Sequence, residues 1–189
     1  MTRLTRYATA RSIPGSANIT RGPYARCLAE PSATKELETL LAADVAALAG
    51  LARPAHVRLA LYAGRGAVAR SGLFDAEHAA FAERLFSTAN VDRYLLDVDE
   101  SPSGGFGALA KVPRPKAVAL GLISVGRGAP EDRDAVLDRL DEATAYIDAD
   151  FLAVCPQRGF AGSGLTEAEQ RRRLELVVSI STRYWGFEA

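Results

Sequence analysis

Lys116-Ala117-Val118-Ala119-Leu120-Gly121-Leu122-Ile123-Ser124-Val125-Gly126-Arg127-Gly128 is the stretch that decides the fold. Its apolar part, Ala117 to Val125, is too short for a typical helix and carries enough Val and Ile for a buried strand. A strand that is apolar along its whole length has both faces covered, which is the habit of parallel sheets flanked by helices. Gly126-Arg127-Gly128 then ends it, and the same punctuation recurs at Arg21-Gly22, Arg65-Gly66 and Arg158-Gly159, each just past a short apolar run. If those strands are parallel, their C-terminal ends share one rim, where α/β proteins bind ligands.

The pattern repeats outward from this strand. Val57 to Tyr62 is apolar apart from Arg58, Arg93 to Asp99 brings Asp97 and Asp99 to its end, Phe151 to Cys155 runs into Pro156-Gln157-Arg158-Gly159, and Ser16 to Thr20 is a weaker fifth strand. Between them lie helical stripes. Leu37, Leu41, Val45 and Leu48 share one face over residues 32–49, ended by Gly50 and Pro54; a second helix starts near Asp75, with Phe74, Phe81 and Leu85 inward and His78 at the border of that face. Ser101 to Gly105 reads as a loop. Pro130, Glu131 and Asp132 suit a first helical turn ahead of Val136, Leu140 and Ile147. Thr166 and Glu169 form a capping box for the last helix, which the spacing predicts to turn Leu174, Val177, Val178 and Trp185 inward and to stop at Gly186.

The order βαβαβ(short α)βαβα specifies an α/β fold, a parallel sheet with helical crossovers. About five strands cannot close an eight-stranded barrel, so the expectation is a reduced or partial (β/α)8 barrel over residues 16–189, preceded by an arm or linker at residues 1–15. An unpaired sheet edge implies self-association, a homodimer or a partner chain that completes the barrel.

The 23 basic and 23 acidic residues balance, which gives no reason to expect nucleic acid or an anionic membrane as partner. Arg171-Arg172-Arg173 follows Glu167 and Glu169 and reads as a solvated helix surface. Cys27 and Cys155 are too few and too far apart for a disulfide framework or a zinc-finger spacing, and no apolar run approaches a membrane span. The expectation is a cytoplasmic, reduced protein. Arginine outnumbers lysine twenty to three, a bias that a GC-rich genome also produces.

Several runs occur in one order: Leu96-Asp97-Val98-Asp99, Phe106 to Pro113, Lys116 to Ser124, Arg139-Leu140-Asp141-Glu142-Ala143, Cys155-Pro156-Gln157-Arg158-Gly159-Phe160-Ala161 and Leu165-Thr166-Glu167. Together they resemble the C-terminal catalytic part of the cobalamin-independent methionine synthases, over roughly half the chain. Tyr62-Ala63-Gly64-Arg65-Gly66 and Gly22-Pro23-Tyr24 are weaker matches upstream. In that family a zinc ion held by one His, two Cys and a Glu binds a substrate thiolate. The resemblance places Tyr62 at the His, Gly64 at the first Cys, Asp97 at the Glu and Arg158 at the last Cys. Only Asp97 retains a ligand, so it implies neither a zinc site nor any other cofactor.

Two functions follow as expectations. The first is a metal-free enzyme acting on an anionic small molecule, of isomerase, cyclase, lyase or transferase type, a repurposing that would suit specialised metabolism. Arg65, Arg127 and Arg158 would clamp the substrate, Gln157 would orient it, and Asp97, Asp99 and Tyr62 would move protons. The second is a non-catalytic partner or structural subunit derived from such a barrel, with the same arginines neutralised by Asp97, Asp99 and other rim acids. Cys155 reads as a small buried core residue; as a nucleophile it would lack a histidine partner, because His56 precedes its strand and lies at the opposite end of the sheet.

Overall fold

Apolar runs become strands where a neighbouring backbone can pair with them, and the computed structural model, which describes residues 34–49, 54, 56–63, 79–98 and 105–186, contains four such strands among those residues. They are β1 (Ala60–Ala63), β2 (Arg93–Asp97), β3 (Ala117–Ile123) and β4 (Leu152–Pro156). All pair in parallel and in chain order, β1-β2-β3-β4. The α/β class and the parallel sheet with crossovers are therefore as the sequence implies. The fifth strand, Ser16 to Thr20, lies outside the described residues, as do the arm at 1–15, Arg65, Asp75, His78 and Asp99.

Among the described residues four α-helices accompany the strands: α1 (Thr34–Ala49), α2 (Ala79–Thr88), α3 (Arg133–Thr144) and α4 (Glu167–Trp185). Among the described residues a 3-10 helix, Phe106–Lys111, lies between β2 and β3, and another, Ala149–Phe151, leads into β4. α4 has the expected capping box, with the Thr166 hydroxyl accepting from the Glu169 amide and the Glu169 carboxylate accepting from the Thr166 amide at 2.7 Å. Gly186 closes it at φ 70. α3 starts later than the sequence suggests. Asp132 is its N-cap, accepting from the amides of Asp134 and Ala135, and Glu131 turns back instead to accept from the Ser124 amide at 2.7 Å.

Strand partners in a parallel sheet point to one face, so the registers sort the side chains. Ala63, Tyr94, Leu96, Val118, Leu120, Leu152 and Val154 share a face and pack with Phe81, Leu85, Phe86, Val136, Leu140 and Ile180 into the core. The opposite face carries Tyr62, Leu95, Asp97, Ala119, Gly121, Ala153 and Cys155. Towards β3 and β4 its side chains are small, Ala119, Gly121, Ala153 and Cys155.

The phase of α4 departs from the sequence reading. Leu174 and Val178 are 48% and 53% exposed, while Arg173 is 1% exposed and Ile180 is fully buried. The reason is a set of four carbonyl partners: Arg173 donates from Nε to Ser124 O at 2.9 Å, from Nη1 to Glu169 O at 3.2 Å and from Nη2 to Gly126 O and Gly128 O at 2.9 Å each. These bonds hold residue 173 inward and turn 174 and 178 out. Arg171 and Arg172 are exposed, so only two members of the triple-arginine run form the solvated surface expected of all three.

Candidate functional site

Asp97 occupies the last position of β2 and is 7% exposed. It is in register with Gly121 of β3, which is in register with Cys155 of β4, so a carboxylate, a gap and a thiol form one row across the inner face. The gap is required. A Cβ at Gly121 would lie 2.8 Å from Gln157 Cα and 3.2 Å from Leu96 O, so any side chain there would push the end of β4 away. The strand ends are tied together instead: Gln157 donates from its amide to Ile123 O at 2.9 Å and from Nε2 to Val98 O at 3.4 Å.

Burial pushes the Cys155 thiol up to about 11, with Asp97 adding to the rise and Arg93 opposing it. The thiol is therefore protonated at neutral pH, which fits a buried strand cysteine and not a thiolate nucleophile. Arg93 thereby joins the electrostatics of Asp97's face, where alternation along β2 places it with Leu95 and Asp97. Sequence reading passed over it, although the i, i+4 spacing on one strand was the available signal. Tyr62 is half-buried and pairs in register with Leu95, one row below Asp97 on the same face.

Of the arginines placed at the rim, Arg127 and Arg158 are exposed on the loops after β3 and β4. Arg127 extends across to the second loop. A Cβ on Gly164, which sits at φ +73, would be 3.1 Å from Arg127 Nη2 and 3.3 Å from Nε. The structure thus brings Asp97, Tyr62 and Gln157 to the inner face and its upper edge, and links Arg127 to the loop that carries Arg158. Besides Arg93, two charged groups have roles that differ from their sequence reading. They are Arg173, disguised by its arginine neighbours, and Glu131, disguised as a helix starter.

A zinc site needs three or four thiolate, imidazole or carboxylate donors. Among the described residues no group of three His, Cys, Asp or Glu side chains stands close enough to hold a metal ion. The row around Asp97 offers one carboxylate and one thiol of the donors such a site uses, with the Tyr62 phenol on the same face. No helix among the described residues is long and apolar enough to cross a membrane.

No protein-family model matches the chain. It is 35% identical over 138 residues to the uncharacterized protein YxjG of Bacillus subtilis (strain 168), covering 70% of this chain and 36% of that protein. A second uncharacterized protein of the same strain, YxjH, is 31% identical over 138 residues, with 70% and 37% covered. The chain thus spans little more than a third of these relatives. Among solved structures, a Listeria monocytogenes protein assigned by name to the vitamin-B12-independent methionine synthases superposes with a TM-score of 0.58 at 27% identity, over 80% of this chain and 42% of that one. A B12-independent methionine synthase from Shewanella sp. W3-18-1, solved with selenomethionine, gives 0.63 at 21% identity, over 80% and 45%. The fold is that of the methionine-synthase-like barrels, of which this chain has a part.

Proposed function

We propose that this methionine-synthase-like chain binds an anionic small molecule at the C-terminal rim of its sheet without zinc, and that Asp97 exchanges a proton with it. The observation that carries the reading is the buried row itself: a nearly inaccessible carboxylate at a strand end, beside a position that tolerates no side chain and beneath a glutamine that bridges two strands. Ligands enter such folds at this end. Arg65, Arg127 and Arg158 supply the charge that holds the anion, Gln157 orients it, and Tyr62 and Asp99 assist the proton transfer. A second copy or a partner chain supplies the remaining wall of the barrel, since a sheet of this size leaves an unpaired edge.

Calorimetric titration of metal-depleted protein with methionine, succinate and inorganic phosphate tests this reading. Methionine is included because the Shewanella structure holds its selenium analogue. The expected result is saturable binding of at least one anion, weakened about tenfold or more by Arg158→Ala. Its proton uptake, read from buffers of different ionisation enthalpy, should vanish in Asp97→Asn. Stoichiometric zinc that is required for binding, or no saturable anion at all, overturns the proposal.

A further inference from the structure

Arg173 does more than fill the interior. Three of its four carbonyl partners, Ser124, Gly126 and Gly128, belong to the loop that follows β3. No carboxylate forms an ion pair with the guanidinium among the described residues; four carbonyls bond this permanent charge, and the Glu169 carboxylate acts on it at longer range. In a trans peptide the C=O and N–H point in opposite directions. With the carbonyls of Gly126 and Gly128 aimed inward at Arg173, the amides of Arg127 and Ala129 are aimed outward. Both residues are exposed, and neither amide donates a hydrogen bond among the described residues. The intervening Gly128 has φ +131, a conformation open to glycine and rarely to other residues.

We propose that the amides of Arg127 and Ala129 form an oxyanion site, backed by the buried Arg173 guanidinium and served by the guanidinium of Arg127. The ligand is the carboxylate or phosphate of a small molecule, so the inference rests on the anion-binding reading above and specifies which atoms hold the anion. Outward amides two residues apart in one turn can share an anion, and a cation behind the same peptides raises the potential on their outer side. Arg127 adds a mobile charge that now rests on Gly164 and is within its own reach of the loop amides. One group opposes the anion. Glu131 holds the Ser124 amide through Oε1, and its Oε2 is buried without a hydrogen-bond partner among the described residues. The Asp132 carboxylate is turned into α3, where it accepts from Asp134 and Ala135.

Amide chemical shifts of the full chain, followed by nitrogen-15 NMR during titration with inorganic phosphate and separately with succinate, test the site. Saturable shifts centred on Arg127, Gly128 and Ala129 are expected; the tighter of the two titrants identifies phosphate or carboxylate as the preferred source. Arg127→Ala should weaken the response about tenfold, Glu131→Gln should strengthen it a few-fold, and Arg84→Ala, remote and paired with Glu38, should leave it unchanged. Arg173→Lys, which keeps the charge but not the four-way fork, should weaken binding and speed hydrogen exchange at residues 124–129. Shifts that scatter over exposed arginines and track ionic strength alone, or an unmoved loop, overturn the inference. If the loop amides stay still while anion binding depends on Arg158 and Asp97, this site fails and the broader reading survives. If they respond while Arg158→Ala and Asp97→Asn change nothing, this site stands and the broader reading fails.

Discussion

Lys116 and Arg173 are cations that solve the same problem at opposite ends of the sheet. Lys116, just before β3, donates to Phe86 O at 3.0 Å, Ala89 O at 2.7 Å and the Tyr94 hydroxyl at 3.2 Å. Those carbonyls belong to the end of α2, so the ammonium closes a helix C-terminus whose dipole favours it. Arg173, beyond β3, donates to a loop. The helix end closes the N-terminal side of the sheet, whereas the loop presents the outward amides of Arg127 and Ala129 on the C-terminal side. One cation therefore seals the stability end of the sheet, and the other builds a surface at the ligand end.

Removing each cation breaks the comparison in a predictable way. Arg173→Met takes a buried donor away from four part-buried carbonyls and should cost about 4 kcal/mol, because each group left unsatisfied costs about 1–3 kcal/mol and some will recover water. Denaturant unfolding measures the loss, and exchange should rise at residues 124–129 but not at 85–89. Lys116→Met should cost less, about 2–3 kcal/mol, since Lys116 is itself only half-buried and two carbonyls, those of Phe86 and Ala89, lose its donors instead of four. Exchange should then rise at the end of α2 and leave the β3 loop unchanged. If either variant loosens both ends equally, the two cations do not act as separate local anchors.

The legible parts of this fold were those decided by neighbours in sequence. Thr166 and Glu169 cap α4 because four residues suffice to form a capping box, and the apolar run of β3 announced a strand covered on both faces. Asp97 could be placed near a strand end because the run Arg93 to Asp99 stops just before Ser101-Pro102-Ser103-Gly104-Gly105. What stayed hidden depended on partners far along the chain. Arg173 looks like Arg171 and Arg172 in sequence, yet a rotation of about 100° per residue gives it another direction, and carbonyls some 45 to 49 residues earlier in the chain fix that direction. Hydrophobic periodicity cannot see a carbonyl, so Leu174 and Val178 were assigned inward. Glu131 was misread for the same reason, its acceptor role being set by the bend of the chain at Ser124. Gly121 passed as an ordinary strand residue because only the approach of Gln157 gives it meaning.

Cys155 sharpens the comparison between the sealed face and the inner row. Its pKa is raised from 9.0 to about 11, chiefly by burial and then by Asp97. The unfolded chain loses the thiol proton near 9.0 while the folded chain keeps it, so the stabilisation is full below pH 9 and is lost as pH rises towards 11. A rise of that size corresponds to roughly 2–3 kcal/mol at most. The measurement is the difference in unfolding free energy between the wild type and Cys155→Ala from pH 8 to 11. Lys116 must be kept constant in that comparison, because burial lowers its pKa and its contribution runs with the opposite sign. A difference that is flat across the window would mean that Asp97 and Cys155 do not share a desiccated row.

The smallest effect on stability is also the most local one. Gly164→Ala places a Cβ at a residue with φ +73, where an L side chain costs about 1 kcal/mol. The new methyl also lies 3.1 Å from Arg127 Nη2. The guanidinium is the end of a flexible side chain, so it should move off the loop at little cost to the fold. Two results can then be separated. Thermal unfolding should fall by only the backbone penalty, while anion binding at the β3 loop should change more than that penalty explains. Displaced towards Arg127's own amide, the guanidinium should tighten the site; displaced into solvent, it should weaken it. Unchanged binding together with the expected loss of stability would show that Arg127 rests on Gly164 without serving the anion, leaving the loop amides and Arg173 to hold it alone.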